Sequence, residues 1–513
     1  MKRQIVPSAL ILIGTLLFNY LFWMEEMGIN TAIFTIFIIG AILYVFEDSR
    51  KDKKVNILMA GTLLLSLLVV LNGSVVSRII YVLSFSTMVG LAQQKEIRFL
   101  VYAGLLYASN LLETPKHFFK ELGNIPFLRG KTELKKQLKL TVISIFIVPI
   151  FYFIYYAANK KFAELADRFW GEVFKIFSFN WDFGHVFFFI LGSIVVGAAI
   201  WKHQLIDFKK FDNLQSIFLN EDEHLVESPE HEKAIENSYK SGILLVILLN
   251  GLLFLNNILD IQYVWIGDSI MRTPQELKSY VHEGTYILIF GILLALAVVF
   301  WLFKGDLNFI KNNKILRGWT YAWLVQNGVL ALSVGMRNWQ YIDYYGLAYK
   351  RVGVFIFLSL VLIGLGILYL KIKEKRSFFY FITQGVWALY AVMLLNCFVN
   401  WDNFITNYNL QANVKSGFID VDFLVRDVSD KNTYILYQNI DKIIAHLPNS
   451  DSTLMNVEKD IRYAIKDKTA FLAALERKKE SFWNARKGLT WLSWTYPDHV
   501  NRQYLQGENP NLR

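Results

Sequence analysis

A single cysteine, Cys397, stands in a chain of 513 residues. It has no partner within the chain for a disulfide and cannot build a thiolate metal cluster; its surroundings, MLLNCFVN, are those of a buried small hydrophobe. Ionised side chains are scarce as well. Only 19% of the residues are Asp, Glu, Lys or Arg, and the mean hydropathy is +0.34, whereas a soluble domain carries about 25% charged residues. Catalytic signatures are missing: there is no Walker A loop, no dinucleotide glycine fingerprint, no GxSxG elbow and no CxxC pair. No cofactor is therefore expected. The net charge of +10 sits in several short hydrophilic loops, which is the pattern of positive-inside orientation rather than of a nucleic-acid surface.

What the chain has in abundance is continuous apolar sequence. The clearest runs are 5–23, 30–46, 55–72, 75–92, 97–112, 138–157, 184–201, 241–258, 284–303, 319–336, 352–370 and 379–398. Runs of this length cross about 30 Å of hydrocarbon as helices, and their continuity, without alternation, excludes a membrane β-barrel. The expected fold is all-α: a polytopic helical membrane protein with eleven or twelve transmembrane helices and a small helical extramembrane C-terminal region. The start, MKRQIVPSALILIGTLLF, lacks a small-x-small cleavage site before Glu25-Glu26 and reads as a retained first helix.

The basic loops orient the helices. Lys304, Lys311, Lys314 and Arg317 mark one cytoplasmic interval and KIKEKR at 371–376 another. Residues 337–351, 259–283 and the chain beyond Asn400 then face the opposite side. The first half raises a conflict of parity. MKR places the N-terminus in the cytoplasm, and five spans would put 113–137 outside, although Lys116, Lys120, Arg129, Lys131, Lys135 and Lys136 read cytoplasmic. Either the short 97–112 segment does not cross, being re-entrant or merged with its neighbour, or the later sidedness is inverted.

Four regions follow: N-terminal transmembrane helices at 1–201, an acidic hydrophilic linker at 202–240, C-terminal transmembrane helices with polar joints at 241–410, and an extramembrane helical cap at 411–513. Residues 159–183 interleave charge with Phe and Trp, as a helix lying in the headgroup layer does. In the cap, helices are expected to break at Ser429-Asp430 and restart near 452–458. A later helix shows an apolar stripe of Phe471, Leu475, Phe482 and Trp483.

The segments GLAYKRVGVF (346–355), NWDNFITNYNL (400–410) and GFIDVDFLVRDVSDKNTYIL (417–436) are specific enough to carry a family resemblance. They resemble the bacterial multi-pass membrane family known as domain of unknown function 4173, within the broader 4153 group. Gly346, Leu347 and Arg351 match its Gly-Leu-Thr-x-x-Arg element, with Ala348 in place of threonine. Asn400, Asp402, Ile405, Tyr408 and Asn409 match the second element, and Asp420, Leu424, Ser429 and Asp430 the third, with Val428 for leucine. The resemblance covers roughly 280–500 and implies a topology in the bacterial cytoplasmic membrane, but no activity.

Charge and aromatic hydroxyls crowd the ends of the second-half helices. Glu283, Arg337, Asp343, Arg351, Asp402 and Tyr408 form the candidate site: two arginines and three carboxylates that could converge on an anionic headgroup or another ligand. The bland reading is that these groups, with Trp339, Tyr341, Tyr344, Tyr345 and Tyr349, anchor helix ends at the interface. A metal site of His185, His282 and Glu283 is the weaker alternative, because His282-Glu283 is not an HExxH motif. The amide-rich group Asn396, Asn400, Asn403, Asn407 and Asn409 reads as helix-end capping. The leading functional expectation is a non-catalytic accessory protein binding lipid, anion or partner at its outer face. A secondary transporter of a small solute comes second and a lipid- or glycan-modifying enzyme third. The expected partners are membrane lipids and a periplasmic or membrane protein that meets the C-terminal region, which is taken to be extracytoplasmic.

Overall fold

The computed structural model describes residues 2–122, 148, 151–152, 154–177, 183–202, 208–219, 228–266, 274–303, 305–310, 313–411, 419–447, 465 and 467–507. The apolar segments fold as α1 (Lys2–Phe22), α2 (Ile29–Val45), α3 (Lys53–Asn72), α4 (Val75–Gln93) and α5 (Leu100–Leu122), then α6 (Lys160–Phe177) and α7 (Phe183–Ile200). A short α8 (Phe208–Asn213) precedes α9 (Pro229–Asp260), α10 (Pro274–Leu302), α11 (Lys314–Tyr345), α12 (Tyr349–Lys373) and α13 (Phe378–Asn396). The C-terminal region contains α14 (Trp401–Gln411), α15 (Thr433–Gln438), α16 (Ile440–Ala445), α17 (Lys468–Ala485) and α18 (Tyr496–Gly507). Among the described residues there is no strand, only an isolated bridge between Phe218 and Arg376. The fold is all-α, as a chain without water around its backbone requires.

Five helical stretches among the described residues are long and apolar enough to cross a membrane: α3, α4, α9 with its following turn, α12 and α13. Four shorter apolar stretches lie in α1, α2, α7 and α10. The expected span at 319–336 is the middle of α11. The expected span at 138–157 and the helix start at 452–458 lie largely or wholly outside the described residues.

Local signals set the helix ends. Asp52 accepts from the Lys54 and Val55 amides to start α3. Gly73, in the left-handed region at φ +56°, stops α3, and Ser74 at once caps α4. A two-residue link leaves the two helices no course but antiparallel. Ser228 caps α9, with Pro229 in its first turn.

Contacts between loops sort the bundle into two ends. At one, Lys54 Nζ donates to the Ile97 carbonyl (3.1 Å), Arg98 pairs with Asp212 (2.7 Å), and Lys371 Nζ donates to the Phe303 carbonyl (2.9 Å). This end gathers the basic connectors. At the other, Asn72 Nδ2 donates to the Cys397 carbonyl (2.6 Å), and the C-terminal region covers the α1–α2 and α3–α4 turns.

α5 bears on the parity conflict. It begins beside Asp212, and its later residues His117 and Phe118 pack on Trp201, again at the basic end. Asn110, midway, donates to Gln93 Oε1 (2.6 Å), and Gln93 in turn donates to the Ala198 carbonyl (2.8 Å). The helix lies across the end of α4 instead of traversing the bundle. The crossing is tight: a Cβ on Gly90 would stand 1.8 Å from the Ala103 carbonyl oxygen. Both ends of α5 thus lie at the basic end of the bundle.

The stretch expected as a solvated linker is structured where it is described. Asp212 is fully buried against Arg98, the Ser377 amide donates to the Ile217 carbonyl (2.8 Å), and α9 starts at Pro229, twelve residues before the apolar run that ends it. A buried Asp212 held by the half-buried Arg98 at a loop end fixes chain that hydropathy alone leaves free.

Buried apolar residues form three main clusters. One joins α1–α5 and α7, and takes in Trp387, Tyr390 and Leu394 of α13 together with Cys397. The second joins α9–α12. The third packs Ile342, Leu347 and Val352 of the α11–α12 joint against Leu424, Ile435, Phe471 and Leu475 of the C-terminal region. In the expected stripe of α17, Phe471, Leu475 and Phe482 are buried and Trp483 is half-buried.

Candidate functional site

The joint between α11 and α12 is built around glycine. Gly346 ends α11 at φ +82°, a region that side-chain-bearing residues rarely occupy. The next residue is clamped from α14: Asn409 Oδ1 accepts from the Leu347 amide (2.6 Å) and Asn409 Nδ2 donates to the Leu347 carbonyl (2.8 Å). A Cβ on Gly346 would lie 2.5 Å from Asn409 Oδ1, so close approach and backbone conformation both select glycine. Arg351 turns back over the joint, where Nη1 donates to the Tyr345 carbonyl (3.1 Å) and to that of Gly346, and its guanidinium lies 4.5 Å from the Tyr341 ring centre.

Beside the joint, Asp402 of α14 is buried and accepts from two hydroxyls, those of Tyr349 on α12 and Ser429 in the C-terminal region. Ser429 also caps the turn that follows it. Asn432 Nδ2 donates to Thr406 Oγ1 (2.9 Å) and to the Leu424 carbonyl (3.0 Å). Lys478 reaches in from α17, and Nζ donates to the Val425 (2.8 Å) and Val428 (2.7 Å) carbonyls. Burial pushes that ammonium down to about 8. Arg486 bridges Asp430 (2.6 Å) and Asp498 (2.7 Å). Burial opposes ionisation of Asp430, but Arg486, Lys431 and Lys478 outweigh it and hold the carboxyl below its ordinary value. The cap is thus fastened by buried polar groups that pair with one another and with backbone carbonyls.

Between joint and cap lies a cleft of about 80 Å³, lined by Tyr345, Gly346, Arg351, Asn409, Asp420 and Phe423 among others. Asp420 Oδ1 accepts from the Phe423 amide (3.0 Å). Burial raises the Asp420 carboxyl above its ordinary value, with Asp422 and Asp427 adding to the effect and the Phe423 amide and Arg351 opposing it. Arg351 and Asp420 face the same cleft, yet among the described residues no salt bridge joins them.

Of the six candidate residues, the five whose side chains are described fall into separate groups. Arg337 pairs with Asp260 at the end of α9, and Ser333 Oγ donates to the same carboxylate (2.6 Å); Arg337 and Asp260 are both buried. That group joins α9 to α11, apart from the Asp402 latch. Asp343 and Tyr408 approach each other, since Asp343, after burial, contributes to raising the Tyr408 hydroxyl above its ordinary value. The side chains of His282 and Glu283 lie outside the described residues. His185 Nε2 bonds Asn19 Nδ2 (2.8 Å), and its ring stacks on Trp23 at 4.3 Å. Among the described residues, no group of three His, Cys, Asp or Glu side chains is placed to hold a metal.

Asp260, Asp420 and Lys478 were not among the candidates. Asp260 had a signal: a carboxylate closing the apolar run LLFLNNILD needs a partner. Asp420 and Ser429 stood in the third matched segment. Lys478 carried none, because a lysine within ERKKE looks solvated. Of the amide group, Asn400 Oδ1 caps α14 by accepting from the Asn403 amide (3.1 Å), and Asn396 Oδ1 accepts from Trp401 Nε1 (2.9 Å).

Two comparisons are silent: no curated protein and no solved structure matches the chain. A family model described as a domain of unknown function (DUF4153) matches residues 34–438.

Proposed function

The chain belongs to the DUF4153 family, and on that premise we propose that it is a multi-pass membrane protein that binds a small charged ligand and catalyses no reaction of its own. The observation that carries this reading is the cleft between the α11–α12 joint and the cap. The other polar clusters around it are consumed by internal pairing, whereas Arg351 and Asp420 line open space without meeting. A concave site with a few convergent polar groups is the usual form of a binding site.

The matched elements at Gly346–Arg351 and Asn400–Asn409 support the narrower placement in the 4173 branch, and with it a bacterial cytoplasmic membrane. The clustering of basic connectors at one end favours a cap on the extracytoplasmic side. There it would meet lipid headgroups and a periplasmic or membrane partner. The four-part division at 201, 240 and 410 belongs to this reading, with the second part giving way to α9 already at Pro229.

Native mass spectrometry of the full chain released from lipid nanodiscs tests the proposal. The expected result is a bound small ligand or lipid, retained by the native chain and lost on Arg351→Gln. A native chain that retains none, in spectra that preserve membrane-protein–lipid adducts, would overturn it. The second reading, a transporter, is favoured by the buried Asp260–Arg337–Ser333 group between α9 and α11. Solute flux into proteoliposomes that stops on Asp260→Asn would establish it instead.

A further inference from the structure

Resting on that reading of the cleft, we infer that its ligand is a zwitterion bearing a phosphate and a primary amine, the headgroup chemistry of an ethanolamine phospholipid. Opposite charges sharing a cleft ordinarily close into a salt bridge. Here each is tied to its own wall. Arg351 is held by the Tyr345 and Gly346 carbonyls and by the Tyr341 ring, and Asp420 by the Phe423 amide. The two charges are therefore held apart in advance of binding, and little has to be reorganised when a ligand enters.

The chemistry of the walls narrows the ligand. A simple anion would satisfy Arg351 but face the Asp420 carboxylate; a simple cation would meet the reverse. One molecule carrying both signs satisfies both. A guanidinium suits phosphate oxygens, and a carboxylate accepts from a primary ammonium, which a quaternary one cannot donate to. Tyr345 and Phe423 supply aromatic walls, against which an ammonium is also stabilised. At about 10–15 Å³ of such space per water, a cleft of about 80 Å³ has room for a group of roughly five to eight non-hydrogen atoms, and phosphoethanolamine is at the upper limit of that range. The site opens where α12 begins, beside the exposed Tyr349, whose ring meets Phe423, and tyrosine is a residue type of the headgroup level.

The test is calorimetric titration of the detergent-solubilised full chain with O-phosphoethanolamine, inorganic phosphate and ethanolamine, alongside native mass spectrometry from nanodiscs containing phosphatidylethanolamine, phosphatidylcholine or phosphatidylglycerol. Asp420→Asn keeps an oxygen for the Phe423 amide and removes the charge. It is expected to weaken phosphoethanolamine at least about ten-fold, the loss of one charged contact, while phosphate affinity holds or rises. Arg351→Gln is expected to abolish both, and Arg351→Lys, with unchanged melting temperature, to retain part of each. A phosphatidylethanolamine adduct that falls with Asp420→Asn identifies the ligand as lipid; binding of the soluble compound alone identifies a free phosphoamine. If Asp420→Asn binds phosphoethanolamine as the native chain does, the zwitterion is overturned while the charged cleft survives. If the native chain binds no probe and retains no lipid, both readings fall.

Discussion

Asn409 and Leu347 exchange two hydrogen bonds, 2.6 Å from the Leu347 amide and 2.8 Å to its carbonyl, so that one side chain of α14 completes the backbone of the α11–α12 joint. Residues 62 positions apart are thereby locked at the edge of the cleft, and the positive φ of Gly346 makes the geometry possible. Asn409→Ala leaves a buried amide and carbonyl unpaired and is expected to cost about 1–3 kcal/mol. Gly346→Ala strains the backbone and meets Asn409, for a cost of about 1–3 kcal/mol. Both are measured as loss of thermal stability in detergent, and both should weaken ligand retention. A Gly346→Ala chain as stable as the native one would contradict the arrangement.

Asp260 and Arg337 are each buried with the other as partner. Removing either alone strands a charge, and Asp260→Ala should destabilise by about 3–5 kcal/mol. Replacing both, as Asp260→Leu with Arg337→Met, should recover most of that loss, because neither desolvation cost then remains. Chemical denaturation of the two variants checks the cycle. If the double variant is no better than the single, the pair is not the structural unit described.

The cap also grips the N-terminal helices. Glu25 accepts from the Thr490 amide (3.1 Å) and from the Ser493 hydroxyl, and a Cβ on Gly28 would lie 2.5 Å from the Ser493 carbonyl carbon. Backbone cannot move aside as a flexible side chain can. Gly28→Ala should therefore push residues 490–495 away, at a cost of about 1–3 kcal/mol. The readout is hydrogen exchange: faster exchange in 490–507, with α9–α12 unchanged. Unaltered protection there would sink the brace.

The Asp420 carboxyl gives a pH dependence with a definite sign. Burial raises its folded value above the unfolded one. Its contribution to stability is fully present below the unfolded value and is lost as pH rises through the folded value. Ligand-free protein should thus lose stability across the acidic range just above the ordinary aspartate value. Asp420→Asn should flatten that slope and raise the melting temperature at neutral pH. A bound ammonium should do the same for the native chain, so stabilisation by phosphoethanolamine should increase as the carboxylate ionises. Melting curves against pH, with and without the ligand, decide it.

Most of the helical architecture was legible in the chain. The runs at 55–72, 75–92, 352–370 and 379–398 became α3, α4, α12 and α13 within a few residues, since lipid demands helices of that length. The cap's apolar stripe and the helix break at Ser429 were legible for a similar reason, being periodic or locally capped. The candidate site was legible only in part. Arg351 and Asp402 stand at the joint, but Arg337 is committed elsewhere, and its partner Asp260 lies 77 residues away. The 97–112 run shows the same boundary: apolar enough to suggest a span, it continues as α5 across the end of α4.

What the sequence by itself determined is the kind of molecule: a helical membrane protein, the helix limits written in its caps and glycines, and one basic end. Those properties depend on short-range terms, such as hydrocarbon thickness, cap hydrogen bonds and loop charge, that act within a few residues. Only the tertiary structure decided which charges are spent on each other and which remain apart. Salt bridges form over a few ångströms between side chains brought together by packing, and that choice separated Arg337–Asp260, which closes on itself, from Arg351 and Asp420, which do not.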